Sequence, residues 1–244
     1  MVVPFTKMKS NMPTLLITGA NRGIGLRCAQ RYHADGWRIL ALCRHHSDEL
    51  GAIEAVGNVR VLLGDLSDGK CLQQFASDLA GESVDVLINN AGLMGDSNYH
   101  QAGGEKQSLL DFNREEWRKV FEINLFTPVE VISLFSEHLS DKAKVVTISS
   151  EMGSISGNKS GGWFAYRASK AAANSLMKSV AFSLKDRGIP AVALHPGWVR
   201  TEMGGPNAHI DTDTSVKGMM KVINNLGMQQ SGGFFAYDGS VLPY

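Results

Sequence analysis

Apolar runs of about five residues alternate with helical patterns along nearly the whole chain, and no other feature restricts its fold so tightly. Runs that read as strands lie near 14–18, 38–43, 59–64, 84–88, 143–148, 189–194 and 233–237. Helical patterns fall between them, near 24–34, 47–55, 68–80, 114–138, 164–186 and 214–226. Such alternation predicts a parallel sheet with helices on both faces, since each right-handed crossover covers one side before the next strand begins. Ligands bind such sheets beyond the carboxyl ends of the strands, where the strand order reverses. The 244 residues show no internal repeat, composition break or low-complexity linker. One α/β domain over 14–244 is expected, preceded by a flexible extension over 1–13. Two loops, 95–113 and 153–162, are longer than their connections need, as functional or mobile loops often are.

Composition excludes several classes of function. Lysine plus arginine number 24, as do aspartate plus glutamate, so the formal charge is zero. A nucleic-acid partner would demand a basic surface. Cys28, Cys43 and Cys71 contain no C-x-x-C and read as packing residues in a reducing compartment. The seven histidines lack ligand spacing, and His45-His46 reads as part of a polar loop, so no metal is expected. No apolar run approaches the ~20 residues of a membrane span. Residues 1–13 lack the apolar core of a signal peptide, which leaves the cytoplasm as the default location.

Two motifs carry chemistry. The strand Thr14–Thr18 runs into Gly19-Ala20-Asn21-Arg22-Gly23-Ile24-Gly25 and then into a helix. A glycine-rich turn at a helix start lets the backbone approach a pyrophosphate and points the positive helix end at it. Its G-x-x-x-G-x-G spacing differs from the common G-x-G-x-x-G. Further on, Tyr166 and Lys170 stand at i and i+4, on one helix face. An ammonium ~4 Å from a phenol, at an effective dielectric of ~20, favours the phenolate by roughly 4 kcal/mol. That sets a ceiling of about three pH units on the lowering of a phenol whose ordinary pKa is about 10. The same spacing also occurs on solvated helix faces, so the pair gains meaning only beside other motifs.

Together these motifs resemble those of the short-chain dehydrogenase/reductase family. Asn89-Asn90-Ala91-Gly92 follows the apolar run Val86–Ile88, Asn124 lies in Phe121–Leu125, Ser149-Ser150 ends a strand, and Pro196-Gly197 follows Ala191–Leu194. The matching motifs cover residues 14 to 201 in family order. The resemblance implies a single-domain, doubly wound Rossmann fold with seven parallel strands in the order 3-2-1-4-5-6-7. It implies a catalytic set of Asn124, Ser150, Tyr166 and Lys170: Tyr166 as proton donor, Lys170 beside it and on the nicotinamide ribose, Ser150 holding the substrate oxygen, and Asn124 holding a relay water. Ser150 is preferred to Ser149 because Ser150-Glu151-Met152-Gly153 matches the family's Ser-x-x-Gly. Its separation from Tyr166, 16 residues, exceeds the commonest family spacing and is absorbed by the 153–162 loop.

The cofactor set follows. Gly19, Asn21, Arg22, Gly23, Ile24 and Gly25 would hold the pyrophosphate turn. Asp65 and Leu66 resemble the adenine-binding pair, while Asn90, Ala91 and Gly92 would pass the adenosine ribose. Pro196, Gly197, Val199 and Thr201 would flank the nicotinamide, Thr201 bonding to either the carboxamide or a phosphate. Arg44 stands nineteen residues after Gly25, where an acid would bind the ribose hydroxyls of NAD. With Arg22 it offers two guanidiniums to a phosphate, which favours NADP(H).

The ending Gly232 to Tyr244 resembles a branch that includes C-factor-like proteins and sniffer-type carbonyl reductases. It implies NADPH-dependent reduction of an aldehyde or ketone, or the reverse oxidation. The alternative is an NADP(H)-binding sensor or signalling protein with little turnover. Met152, Trp163 and Trp198, together with Ser150, are candidates for the substrate pocket, joined by Met94, Phe164 and Met203; Trp198 equally fits a packing role. A homo-dimer or homo-tetramer is implied, pairing through 114–138 and 164–186.

Overall fold

The computed structural model describes residues 12–95 and 112–244; the expected extension over 1–13 and the 95–113 loop lie almost wholly outside the described residues. The described chain folds as β1 (Thr14–Thr18), α1 (Gly23–Ala34), β2 (Arg38–Cys43), α2 (Asp48–Val56), β3 (Val59–Leu63), α3 (Gly69–Asp78) and β4 (Val84–Asn89). It continues as α4 (Arg114–Phe121), α5 (Thr127–Phe135), β5 (Leu139–Ile148), α6 (Phe164–Ser183), β6 (Ala191–His195), α7 (Thr212–Asn224) and β7 (Phe234–Ala236). All seven strands pair in parallel, in the order β3-β2-β1-β4-β5-β6-β7. This is the doubly wound Rossmann arrangement that the alternation and the resemblance called for.

Period-two alternation along the strands builds two cores. Leu16, Leu40, Leu87 and Val145 face α3, α5 and α6 through Leu72, Phe75, Phe135 and Met177. Leu15, Ile17, Ile39, Val86 and Ile88 face α1, α2 and α7 through Ala29, Tyr32, Leu50, Val216 and Met219. Each fully buried leucine or isoleucine contributes about 1.5–3 kcal/mol. The chain winds outward from β1 to β3, then returns to place β4 on the other side of β1. That reversal opens a crevice beyond the ends of β1 and β4.

One helix departs from expectation. The 114–138 pattern is broken into α4, a π turn at Glu122–Phe126, α5 and a 3-10 turn at Ser136–His138. Pro128 has no N–H with which to close an α-type bond to the Asn124 carbonyl, and the chain widens there. Asn124 therefore sits inside a π turn rather than in a regular helix.

Candidate active site

The glycine turn is built by close approach. Gly19 and Gly23 have φ of +69° and +55°, the left-handed region that favours glycine. A Cβ on Gly25 would lie 2.2 Å from the Gly19 carbonyl oxygen and 2.4 Å from Asn90 Nδ2. Asn90 is the strut behind the turn, its amide donating to the carbonyls of Thr18 and Gly19 at 3.0 Å each. In return Thr18 Oγ1 accepts from the N–H groups of Asn90 and Ala91, at 3.0 and 3.1 Å. The Asn90 side chain thus shapes the cofactor turn, while its neighbours Ala91 and Gly92 leave room beside it.

The start of α1 differs from those of α2, α3, α4 and α7. Ser47, Asp68, Asn113 and Asp211 cap α2, α3, α4 and α7 with their side chains. No side chain caps α1, and no acid stands in its first turn. Its free N–H groups and positive end face a cleft of about 600 Å³, an arrangement suited to a phosphate. Gly19, Asn21, Arg22, Gly23, Ile24, Gly25, Arg44, Asp65, Leu66, Asn90, Ala91, Gly92, Tyr166, Lys170, Pro196 and Thr201 all line this cleft. Gly197 and Val199 do not; they line the adjoining cavity described below.

The two arginines are unequal. Arg44 is exposed at the end of β2. It lies near Asp65, whose carboxyl is held below the usual carboxylate range by hydrogen bonds from Ser67, with Arg44 adding to the effect. Arg22 is instead paired with Glu202, which follows β6 and also lines the cleft. A phosphate at Arg22 competes with that carboxylate.

Beyond β5 the two adjacent serines separate. Ser149 Oγ is buried and donates to Asn174 Oδ1 at 2.5 Å. Ser150 Oγ accepts from Met152 N–H at 3.1 Å and shares a hydrogen bond with the Tyr166 phenol. Of the two serines, Ser150 is the one beside the Tyr166 phenol. Gly153 makes this possible: a Cβ there would lie 2.8–2.9 Å from the backbone of Lys170, so the turn after Ser150 rests directly on α6. The other end of the 153–162 loop is a left-handed run, Gly161 (φ +60°), Gly162 (+68°) and Trp163 (+54°). It turns Trp163 into the start of α6, and Arg167 braces the loop by donating to Met152 O and Ser160 Oγ.

Tyr166 and Lys170 are both buried, and burial dominates their titration. Lys170 Nζ donates to Ile148 O at 2.8 Å and lies 5.7 Å from the centre of the Tyr166 ring. Loss of hydration pushes Lys170 down to about 8. The phenol is pushed up to about 12 by the same cause, with the Ser150 hydrogen bond acting in the opposite direction. The expected lowering of the phenol by the ammonium is therefore outweighed: the Coulomb figure assumed a hydrated pair, and this one is dry.

Asn124 is held by both ends of its amide. Oδ1 accepts from Leu93 N–H at 2.8 Å, and Nδ2 donates to Leu93 O at 2.7 Å and Ser169 Oγ at 2.9 Å. Its side chain fastens the chain after β4 to the π turn and to α6. Both amide hydrogens are used in these contacts, while Oδ1 accepts one bond.

A second cavity, of about 560 Å³, adjoins the cleft, and Ile24, Ser149, Tyr166, Pro196, Thr201 and Met203 border both. The four substrate candidates, Ser150, Met152, Trp163 and Trp198, all line it, as does Met94; Phe164 does not. Trp198 donates from Nε1 to Gly204 O at 2.7 Å and meets His209 edge-on, so it serves both as wall and as packing. Sequence reading missed Glu151, His195, His209, Ile210 and Tyr237 in this lining. His195 had a signal: it ends β6 immediately before Pro196, at the ligand-binding edge. Among the described residues no group of three His, Cys, Asp or Glu could hold a metal, and no helix is long and apolar enough to cross a membrane.

An uncapped helix start at a glycine turn, beside a buried Ser-Tyr-Lys group at a sheet crevice, defines a dinucleotide-binding α/β oxidoreductase. The family model described as short chain dehydrogenase matches residues 13–210, and the chain belongs to that family. Among curated proteins it is 39% identical to the C-signal of Myxococcus xanthus over 175 residues, which are 71% of this chain and 100% of that one. Among solved structures it resembles the carbonyl reductase Sniffer of D. melanogaster, with TM-score 0.87 and 30% identity over 96% of this chain and 100% of the other. It also resembles an NADPH-bound carbonyl reductase from chicken fatty liver, with TM-score 0.84 and 29% identity over 96% and 99% of the two chains.

Proposed function

We propose that the protein is an NADPH-dependent carbonyl reductase, and the observation that carries this reading is the Ser150–Tyr166 pair at the junction of the two cavities. The free start of α1 and the exposed Arg44 suit a 2′-phosphorylated dinucleotide. A bound nicotinamide supplies hydride; the rest of the chemistry belongs to this chain. Ser150 holds the substrate oxygen beside the phenol and stabilises the charge that develops on it. Tyr166 gives that oxygen its proton. A phenol near 12 is still a competent donor, because an alkoxide is about as basic as hydroxide, whose conjugate acid has a pKa of about 15.7. Lys170 sets a positive charge beside the phenolate left behind. Asn124 positions Leu93 and α6, and any relay water at this residue would use its backbone carbonyl, from which Pro128 withholds the α-type bond. Residues 14–244 act as one catalytic unit in this reading. Its assembly as a homo-dimer or homo-tetramer through α4, α5 and α6 is supported by exposed Phe126, Val129 and Phe182.

The resemblance to C-signal keeps a signalling role in view. The dry Ser-Tyr-Lys group favours turnover, since a sensor has no need of a proton donor. Tyr166→Phe tests the reading: NADPH binding stays within a few fold while oxidation of NADPH by a panel of aldehydes and ketones falls by orders of magnitude. Undiminished turnover in the variant would refute the proton-donor role, and tight NADPH binding without turnover of any carbonyl in the native protein would favour the sensor.

A further inference from the structure

Away from the Ser150–Tyr166 pair, the described lining of the substrate cavity has one buried titratable side chain that the mechanism leaves unused. His195, at the end of β6, is 9% exposed and lines the cavity with Glu151. Its Nδ1 is shut off from solvent and has no partner among the described residues. A proton on Nδ1 would be buried without an acceptor, which costs about 1–3 kcal/mol, so the ring proton belongs on Nε2. Burial favours the neutral ring by pushing the imidazole below its ordinary range, against the opposing pull of Glu151 and Asp238. Nε2 lies 3.9 Å from Glu151 Oε2, too far for a direct hydrogen bond. The Glu151 side chain is 65% exposed and borders the cavity.

A donor and an acceptor thus face each other across a gap that one interposed oxygen can bridge. That oxygen must accept from Nε2–H and donate to the carboxylate, which is what a hydroxyl does. Among the described residues no lysine or arginine lines the cavity, so an anionic group there would meet Glu151 without a compensating cation from them. We propose that His195 and Glu151 form a hydroxyl-recognition subsite, so that the preferred carbonyl substrate carries a neutral hydroxyl besides its reacting group and carboxylated carbonyls are refused. The class of substrate rests on the carbonyl-reductase reading; the subsite itself does not.

Calorimetric titration of the cofactor-free protein with 2′-, 3′- and 4′-hydroxyacetophenone, each against its methyl counterpart, tests it. One hydroxyl isomer is expected to bind about tenfold tighter than its methyl partner, the size of one well-made hydrogen bond. His195→Phe and Glu151→Ala should each bring that ratio close to one, and His195→Gln, which keeps a donor, should restore part of it. Equal binding of all three pairs, or a preference that survives both substitutions, overturns the proposal. If the preference holds while no carbonyl oxidises NADPH, the subsite stands and the reductase reading falls.

Discussion

Replacing Lys170 with methionine should separate stability from activity, because the burial that places this ammonium in the site also makes it costly. Lys170 titrates near 8 instead of its usual 10.5. Below pH 8 both folded and unfolded chains carry the proton, and the folded state bears the full penalty of a desolvated charge. Between 8 and 10.5 the folded chain releases the proton while the unfolded chain keeps it, so stability rises with pH by about 1.4 kcal/mol per unit. The relief totals about 3 kcal/mol by pH 10.5. Methionine fills the same space uncharged, but leaves the Ile148 carbonyl without its donor, a loss of about 1–3 kcal/mol. The net change at pH 7 is therefore small, and the pH dependence is diagnostic. Urea unfolding of both proteins between pH 7 and 10, followed by tryptophan fluorescence, measures it. The wild-type stability minus that of Lys170→Met should climb by about 2–3 kcal/mol across this range. Tyr166 does not disturb the comparison, since both proteins contain it. A difference flat with pH would refute the buried, depressed lysine.

The other expectations concern backbone approach and cofactor choice. Gly153→Ala drives a Cβ into the Lys170 backbone, a clash that no rotamer relieves; it should destabilise by about 1–3 kcal/mol and lower kcat more than it raises KM, as Ser150 is displaced from Tyr166. Arg44→Glu should lower kcat/KM for NADPH by about ten- to a hundredfold and raise it for NADH, in steady-state assays with each cofactor. Glu202→Gln frees Arg22 and should tighten NADPH binding less than about fivefold, because the exposed pair it breaks is weak; calorimetry at low and high salt should show the gain shrinking as salt is added.

What could be read from the chain and what could not divide along a physical line. The strand order and the glycine turn rest on local patterns, and the structure places them accordingly; the choice of Ser150 over Ser149 also rests on a local pattern, and it is Ser150 that lies beside the Tyr166 phenol. Residues that meet across the sequence were hidden: Glu202 reaches Arg22 over 180 positions, and Glu151 and His195 come together only when β5 and β6 pair. The π turn at Asn124 was in principle legible, because Pro128 stands four residues on and cannot donate. Reading 114–138 as one amphipathic helix averaged that signal away. His195 belongs to no local motif: it is the last residue of an apolar strand, and its partner Glu151 lies 44 positions away.

The Tyr166–Lys170 pair shows how a correct spacing can carry an incomplete electrostatic account. A helix face supplies the proximity, and Coulomb attraction between hydrated groups would then lower the phenol. Packing supplies something else: Gly153 seats the Ser150 turn on α6, and the two side chains lose their water. Desolvation acts on each group separately and opposes both charges, whereas attraction requires both to be present. The phenol therefore keeps its proton over the whole neutral range, and the ammonium, its pKa lowered by burial, donates to the Ile148 carbonyl. On the proposed reading, in which Tyr166 gives a proton to a nascent alkoxide, that state is already the competent one. Ser150, whose hydrogen bond is the influence that lowers the phenol, then matters as much to the acid as the lysine does. Removing its hydroxyl in Ser150→Ala should slow reduction even of substrates too small to need positioning, and an unchanged rate with formaldehyde-sized carbonyls would show that Ser150 only steers.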